Sequence, residues 1–154
     1  MSAEIEIIEY NKKYHEDFRR LNLEWLNKYN LTESHDLKVL NDPSGSILSH
    51  GGFIWLAKVN NEIAGTAALM NEGQGIFELA KMSVAEKWQG KGISNLLLVT
   101  CLYKAKVSGA KKIILFSNHQ LKSAISLYTK FGFQHTDVLD SPFKTADIKM
   151  ELIL

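Results

Sequence analysis

The chain reads as an α/β protein whose mixed, mostly antiparallel sheet is flanked by helices. Three observations predict this. Up to about residue 84, short β-rich segments follow one another across tight turns. From residue 92 onward, helical and strand-like segments alternate. The 154 residues are 45% hydrophobic and 23% charged, the size and composition of one ordinary domain with a buried core. A single domain spanning 1–154 is therefore expected.

The elements follow in order. Glu4–Glu9 alternates as a strand. Lys13–Tyr29 places Tyr14, Phe18, Leu21, Trp25 and Tyr29 three or four residues apart, the stripe of an amphipathic helix. A short helix is expected over Thr32–Leu40, with Thr32 or Ser34 as its N-cap. Asn41–Gly45 is turn chemistry and should break it. Gly52–Val59 and Glu62–Met70 read as strands joined by an Asn60-Asn61 hairpin. After a turn at Asn71–Gly75, Gly75–Val84 is a third strand of the meander. Gly92–Ser108 has a wide apolar helical face, and Gly109 suits its C-terminal end. Lys111–Phe116 is a strand, Leu121–Lys130 a helix stopped by Gly132, and Phe133–Val138 and Ala146–Ile153 are the last strands.

Composition narrows the function. The longest apolar runs, such as Ile113–Phe116, fall far short of the roughly 20 residues of a membrane span. Residues 1–10 thread charges through an apolar stretch and do not resemble a secretory leader. The one cysteine, Cys101, excludes an internal disulfide and a multi-cysteine zinc site, and it reads as a core thiol. A cytoplasmic location and no membrane partner are expected. The five histidines show no metal spacing, so no metal is expected. The net charge of +1 divides into −5 over residues 1–80 and +6 over residues 81–154. An anionic ligand thus belongs with the second part. Nucleic acid is disfavoured as a partner, because the lysines are scattered and the only arginines are Arg19 and Arg20.

The sharpest local feature is Gln89-Gly90-Lys91-Gly92-Ile93-Ser94, between a strand and a long helix. A helix N-terminus offers free N–H groups and partial positive charge. Glycines let that backbone approach a phosphate. The string lacks the spacing of a P-loop, and Asn95 stands where a dinucleotide fingerprint needs its third glycine. A glycine-rich helix start that binds nothing is the bland alternative.

Two segments carry a resemblance. Met82-Ser83-Val84 followed by Gln89–Ser94 resembles the acetyl-CoA motif of the GCN5-related N-acetyltransferases, V-x-x-x-x-[QR]-x-x-G-x-[GA]. About thirty residues on, Ala124–Phe133 resembles the same family's A-x-x-L-Y-x-K-x-G-F segment. Ser94 departs from the family's final small residue, and Leu121 stands where an asparagine is common. Ser117, Asn118, Leu121 and Thr145–Met150 also resemble acetyltransferase halves fused to bacterial transcription regulators, which implies a bacterial origin.

The resemblance implies a sheet that splays after its fourth strand, with the pantetheine of acetyl-CoA lying in the gap. Backbone groups of Met82, Ser83 and Val84 would bond the pantetheine. Gly90, Gly92, Ile93 and Ser94 would hold the pyrophosphate, with Gln89 and Lys91 at its rim and Asn118 near the pantetheine. The implied reaction is direct transfer of acetyl to a primary amine of an unidentified acceptor in a ternary complex, and a homodimer is compatible with it. Such an amine has a pKa of about 10, so about one molecule in 10³ is neutral at pH 7. A base would help, and Glu78 is similar to the base glutamate of the histone-acetylating branch. Its position four residues before Met82 predicts a shared strand face. Tyr128 matches the family's tyrosine acid, and the Met82 N–H would receive the oxyanion. His119 is expected near the site, and Trp25, Tyr29, Trp55 and Phe77 in the core or beside the acceptor. The competing function is a non-catalytic acyl-CoA-binding or regulatory module.

Overall fold

The computed structural model describes residues 4–154, so the first three residues of the segment read above for a leader lie outside it. Its strands are β1 (Ile5–Glu9), β2 (Phe53–Val59), β3 (Glu62–Gly73), β4 (Ile76–Val84), β5 (Lys112–Ser117), β6 (Gln134–Thr136) and β7 (Ile148–Ile153). Its helices are α1 (His15–Lys28), α2 (Ser34–Asn41), α3 (Pro43–Ser46), α4 (Ile93–Val107) and α5 (Lys122–Lys130). The strands form one sheet in the order β1-β2-β3-β4-β5-β7-β6. Only β4 and β5 pair in parallel. This is the mixed, mostly antiparallel sheet expected.

Helices cover both faces. Phe18, Leu21, Val39, Leu40 and Ile47 from the α1–α3 side pack on Ile54, Leu56, Ile63 and Ala68. On the other face Ile93, Leu97, Leu98 and Cys101 of α4 pack on Trp55, Ala57, Ala67, Leu69 and Leu79, joined by Tyr128 of α5. Side chains alternate across a strand, so β2 and β3 feed both cores and are apolar almost throughout. Each fully buried leucine or isoleucine contributes about 1.5–3 kcal/mol. Cys101 is a core thiol, with burial pushing its pKa up.

Several boundaries differ from the sequence expectation. The N-cap of α2 is neither Thr32 nor Ser34 but Glu33, whose N–H donates to Asp36 at 2.9 Å. Asn41–Gly45 is not simply a break, because Asp42 accepts from Gly45 N–H and starts α3 with Pro43 at its first position. Strand β3 runs three residues beyond Met70, and β6 stops at Thr136. The hairpin does turn on Asn60 and Asn61, both left-handed at φ 51° and 63°.

Candidate active site

The site begins where the sheet opens. Strand β4 pairs with β5 only from Ile76 to Glu78, although β4 continues to Val84 and β5 to Ser117. Beyond that point the two strands part, and the β4 edge has no strand neighbour among the described residues. Unpaired strand N–H and C=O groups are a template for an added strand. A bulge shapes this edge: the β3–β4 register slips between Thr66 and Ala68, and Lys81 adopts φ 51°. A non-glycine residue there is strained and marks a constrained position.

The bulge also corrects the expectation that Glu78 and Met82 share a face. The extra residue breaks the period of two. Glu78 lies opposite Met70, on the α1–α3 side, whereas Met82 packs with the α4 core. The two residues still meet at the gap, where both line a cavity of about 120 Å³ with Trp25, Lys81, Phe116 and Tyr128.

A second space, of about 440 Å³, runs from Met82, Ser83 and Val84 to Gly90, Gly92, Ile93 and Ser94. Trp25, Met82, Ala124 and Tyr128 line both spaces, so the two adjoin at the gap. Gly90 and Gly92 have φ of 75° and 84°, which only glycine adopts without cost. Among the described residues, no atom lies within 4 Å of a Cβ built on either glycine. No described side chain caps α4, whose first N–H groups therefore face this space unpaired. Gln89 lines it and donates to Val84 C=O at 3.4 Å, whereas Lys91 is exposed outside the lining.

Glu78 and Tyr128 are both buried at the gap. Glu78 is 5% exposed, and its pKa is raised to about 8 by burial first and then by the neighbouring carboxylate of Glu72, with Lys81 opposing. Tyr128 is buried against Phe133, with ring centroids 5.9 Å apart, and burial pushes its phenol up to about 12. It stays protonated through the physiological range and is available as a donor.

The remaining assignments divide. Asn118 lines the small cavity, but its amide holds a loop: it donates to Thr145 C=O at 2.8 Å and accepts from Gln120 N–H at 3.0 Å. His119 pairs with Asp147 and is exposed, outside both spaces. Trp55 and Phe77 are core residues on the α4 face, while Trp25 and Tyr29 border the ligand space.

Sequence reasoning missed Lys81 and Asp36. Their side chains, 6% and 2% exposed, form a buried ion pair beside Glu78, with the Lys81 ammonium 5.1 Å from the centre of the Phe143 ring. The pair joins residues 45 positions apart, and no local pattern announces it. Reading missed a third space too, a groove of about 690 Å³ that reaches Glu78 and Phe116 and is lined by His35, His50, Glu72 and Asp140. Among the described residues, no cluster of three His, Cys, Asp or Glu side chains is arranged to hold a metal ion.

A fold built around a splayed β4–β5 pair and a glycine-started helix matches known proteins. Residues 50–135 match the model of the acetyltransferase (GNAT) domain, and the chain belongs to that family. Among relatives, 105 residues are 31% identical to the uncharacterized N-acetyltransferase YvbK of Bacillus subtilis, covering 66% of this chain and 68% of that one. Over 102 residues the chain is 30% identical to N-acetyltransferase family 8 member 2 of Rattus norvegicus, covering 63% of this chain but only 45% of the rat protein. The chain thus spans less than half of that relative's length. A GNAT acetyltransferase of Staphylococcus aureus Mu50 superposes with a TM-score of 0.88 at 26% identity, covering 96% of this chain and 98% of that one. The PaiA N-acetyltransferase of Thermoplasma acidophilum, solved in complex with coenzyme A, superposes with a TM-score of 0.78 at 19% identity, covering 98% and 99%.

Proposed function

We propose that the protein is an acetyl-CoA-dependent N-acetyltransferase that acetylates a primary amine directly in a ternary complex. The observation that carries this reading is that the glycine-turn space adjoins the gap that holds Glu78, with Tyr128 lining both. The pyrophosphate lies on the N–H groups from Gly90 to Ser94, where the helix terminus favours negative charge. The pantetheine runs along the unpaired edge of β4, bonded by backbone groups of Met82 and Val84. The thioester then reaches the small cavity between Glu78 and Tyr128. The setting proposed is a bacterial cytoplasm.

The acceptor enters from the larger groove and meets Glu78, which lines both spaces. Glu78 takes a proton from the ammonium group, and the neutral amine attacks the thioester carbonyl. The oxyanion is held by the Met82 N–H. As the carbon–sulfur bond breaks, Tyr128 donates a hydrogen bond to the sulfur. Full transfer from a phenol near 12 to a thiolate of ordinary pKa near 8.5 is uphill by about 5 kcal/mol, so the hydrogen bond does most of the stabilising and solvent completes protonation.

The test is thiol release from acetyl-CoA by purified protein against a panel of monoamines, diamines, amino acids and lysine peptides. At least one amine should give stoichiometric thiol and acetylated product, with turnover rising as pH approaches 8 and Glu78 loses its proton. Tight acetyl-CoA binding with no product from any amine would instead favour the non-catalytic acyl-CoA-binding module.

A further inference from the structure

Glu78 has a carboxylate neighbour, Glu72, at the rim of the large groove. The β3–β4 register pairs Asn71 with Phe77 and Gly73 with Ile76, so Glu72 is the extra residue of a bulge at the end of the hairpin. A bulge re-aims the side chain it carries. Glu72 is exposed, lines the large groove, and has its carboxyl within hydrogen-bonding reach of Glu78. One carboxyl is thus buried at the reacting end and its partner stands in water at the rim.

We propose that Glu72 is a positioning residue that acts through Glu78: it accepts the proton that Glu78 takes from the incoming ammonium group and releases it to the water of the groove. The proposal rests on the reading of Glu78 as the base. The proton count is simple. A nitrogen–hydrogen bond of the ammonium breaks, an oxygen–hydrogen bond forms on Glu78, and the same proton then moves to Glu72 and to water. The amine keeps its lone pair, and both carboxylates are restored.

Burial first, and then the neighbouring Glu72 carboxylate, disfavour the charged form of Glu78. A protonated Glu78 carboxyl can donate to the Glu72 oxygen. Other charged groups face Glu78 as well. Lys81 on β4 and Asp36 on α2 satisfy each other in their ion pair. His35, His50, Asp140 and Lys149 line the groove from α2, the turn after α3, the β6–β7 loop and β7. Burial and the Lys81 charge hold the His35 pKa below its ordinary value, so His35 is neutral near pH 7 and adds no cation there. Glu72 alone among these is a carboxylate within hydrogen-bonding reach of Glu78.

The experiment compares native protein, Glu72→Gln, Glu72→Asp and Glu78→Gln. Turnover is measured from pH 5.5 to 10 with one good amine, and the Glu78 carboxyl is titrated by carbon-13 NMR without substrate. Glu72 is exposed, so its substitutions should leave the fold intact. With Glu72→Gln, the Glu78 titration and the acidic limb should both move down by about one pH unit. The plateau rate should fall several-fold, and Glu72→Asp should restore part of both. An unmoved titration and limb in Glu72→Gln, with the limb abolished in Glu78→Gln, would overturn the role of Glu72 and leave the base reading standing. A native limb retained in Glu78→Gln would overturn the base reading itself.

Discussion

Tyr128 packs in a core and borders the proposed site at once. Its ring fills the α4–α5 core against Phe133, and it also lines both ligand spaces. Tyr128→Phe keeps the ring and its packing, so the thermal midpoint should stay within a few degrees of native. Turnover should fall about ten-fold or more while acetyl-CoA affinity changes little. Steady-state kinetics with chemistry shown to be rate-limiting checks this, and an unchanged turnover would leave Tyr128 as packing alone. Residues of this kind were legible because a motif fixes their type and position. Glu78 was singled out by its resemblance to the base glutamate of the histone-acetylating branch, and the structure places it buried at the gap. Its partners were not legible. Glu72 reaches Glu78 through a bulge, and Lys81 reaches Asp36 from a left-handed backbone at φ 51°. Neither position holds a glycine or other turn residue to announce the irregularity.

At the scale of elements, the Glu33 carboxylate ties the start of α2 to the segment between β6 and β7. It accepts from Lys144 N–H at 2.8 Å, Thr145 N–H at 2.9 Å and the Thr145 hydroxyl. Slight burial works against ionisation, but the Thr145 and Lys144 bonds hold the carboxyl below its ordinary range. The tie places Phe143 of this segment beside Lys81 and over the small cavity. Glu33→Ala should cost about 1–2 kcal/mol of stability, raise amide exchange across residues 137–147, and raise the acceptor KM more than it lowers kcat. Exchange unchanged in that segment would show that the tether holds nothing. Sequence reading placed every principal strand and helix, because apolar periodicity and turn residues are local. It failed where tertiary partners decide: the cap of α2, the helix α3, the ends of β3 and β6, and the face shared by Glu78 and Met82.

Across the whole molecule, the sheet works as two halves joined by only three paired positions of β4 and β5. The α4-side core spans the parting, since Ile113, Leu115, Tyr128 and Met150 pack in one cluster with Trp55, Ala67 and Leu79, so the two halves are held together beneath the open edge. The strand order past β5 was not legible. That β7 inserts between β5 and β6 depends on long-range pairing. The central claim is that this parting and the glycine turn beside it hold acetyl-CoA. Calorimetric titration of acetyl-CoA into native protein and Gly92→Glu tests it most directly. Gly92 is left-handed at φ 84°, so the variant is first shown to be folded by circular dichroism and a cooperative melt. Its carboxylate would enter the space assigned to the pyrophosphate. Native protein should bind one equivalent, and folded Gly92→Glu should bind at least ten-fold more weakly; equal affinity in the two folded proteins would contradict the account.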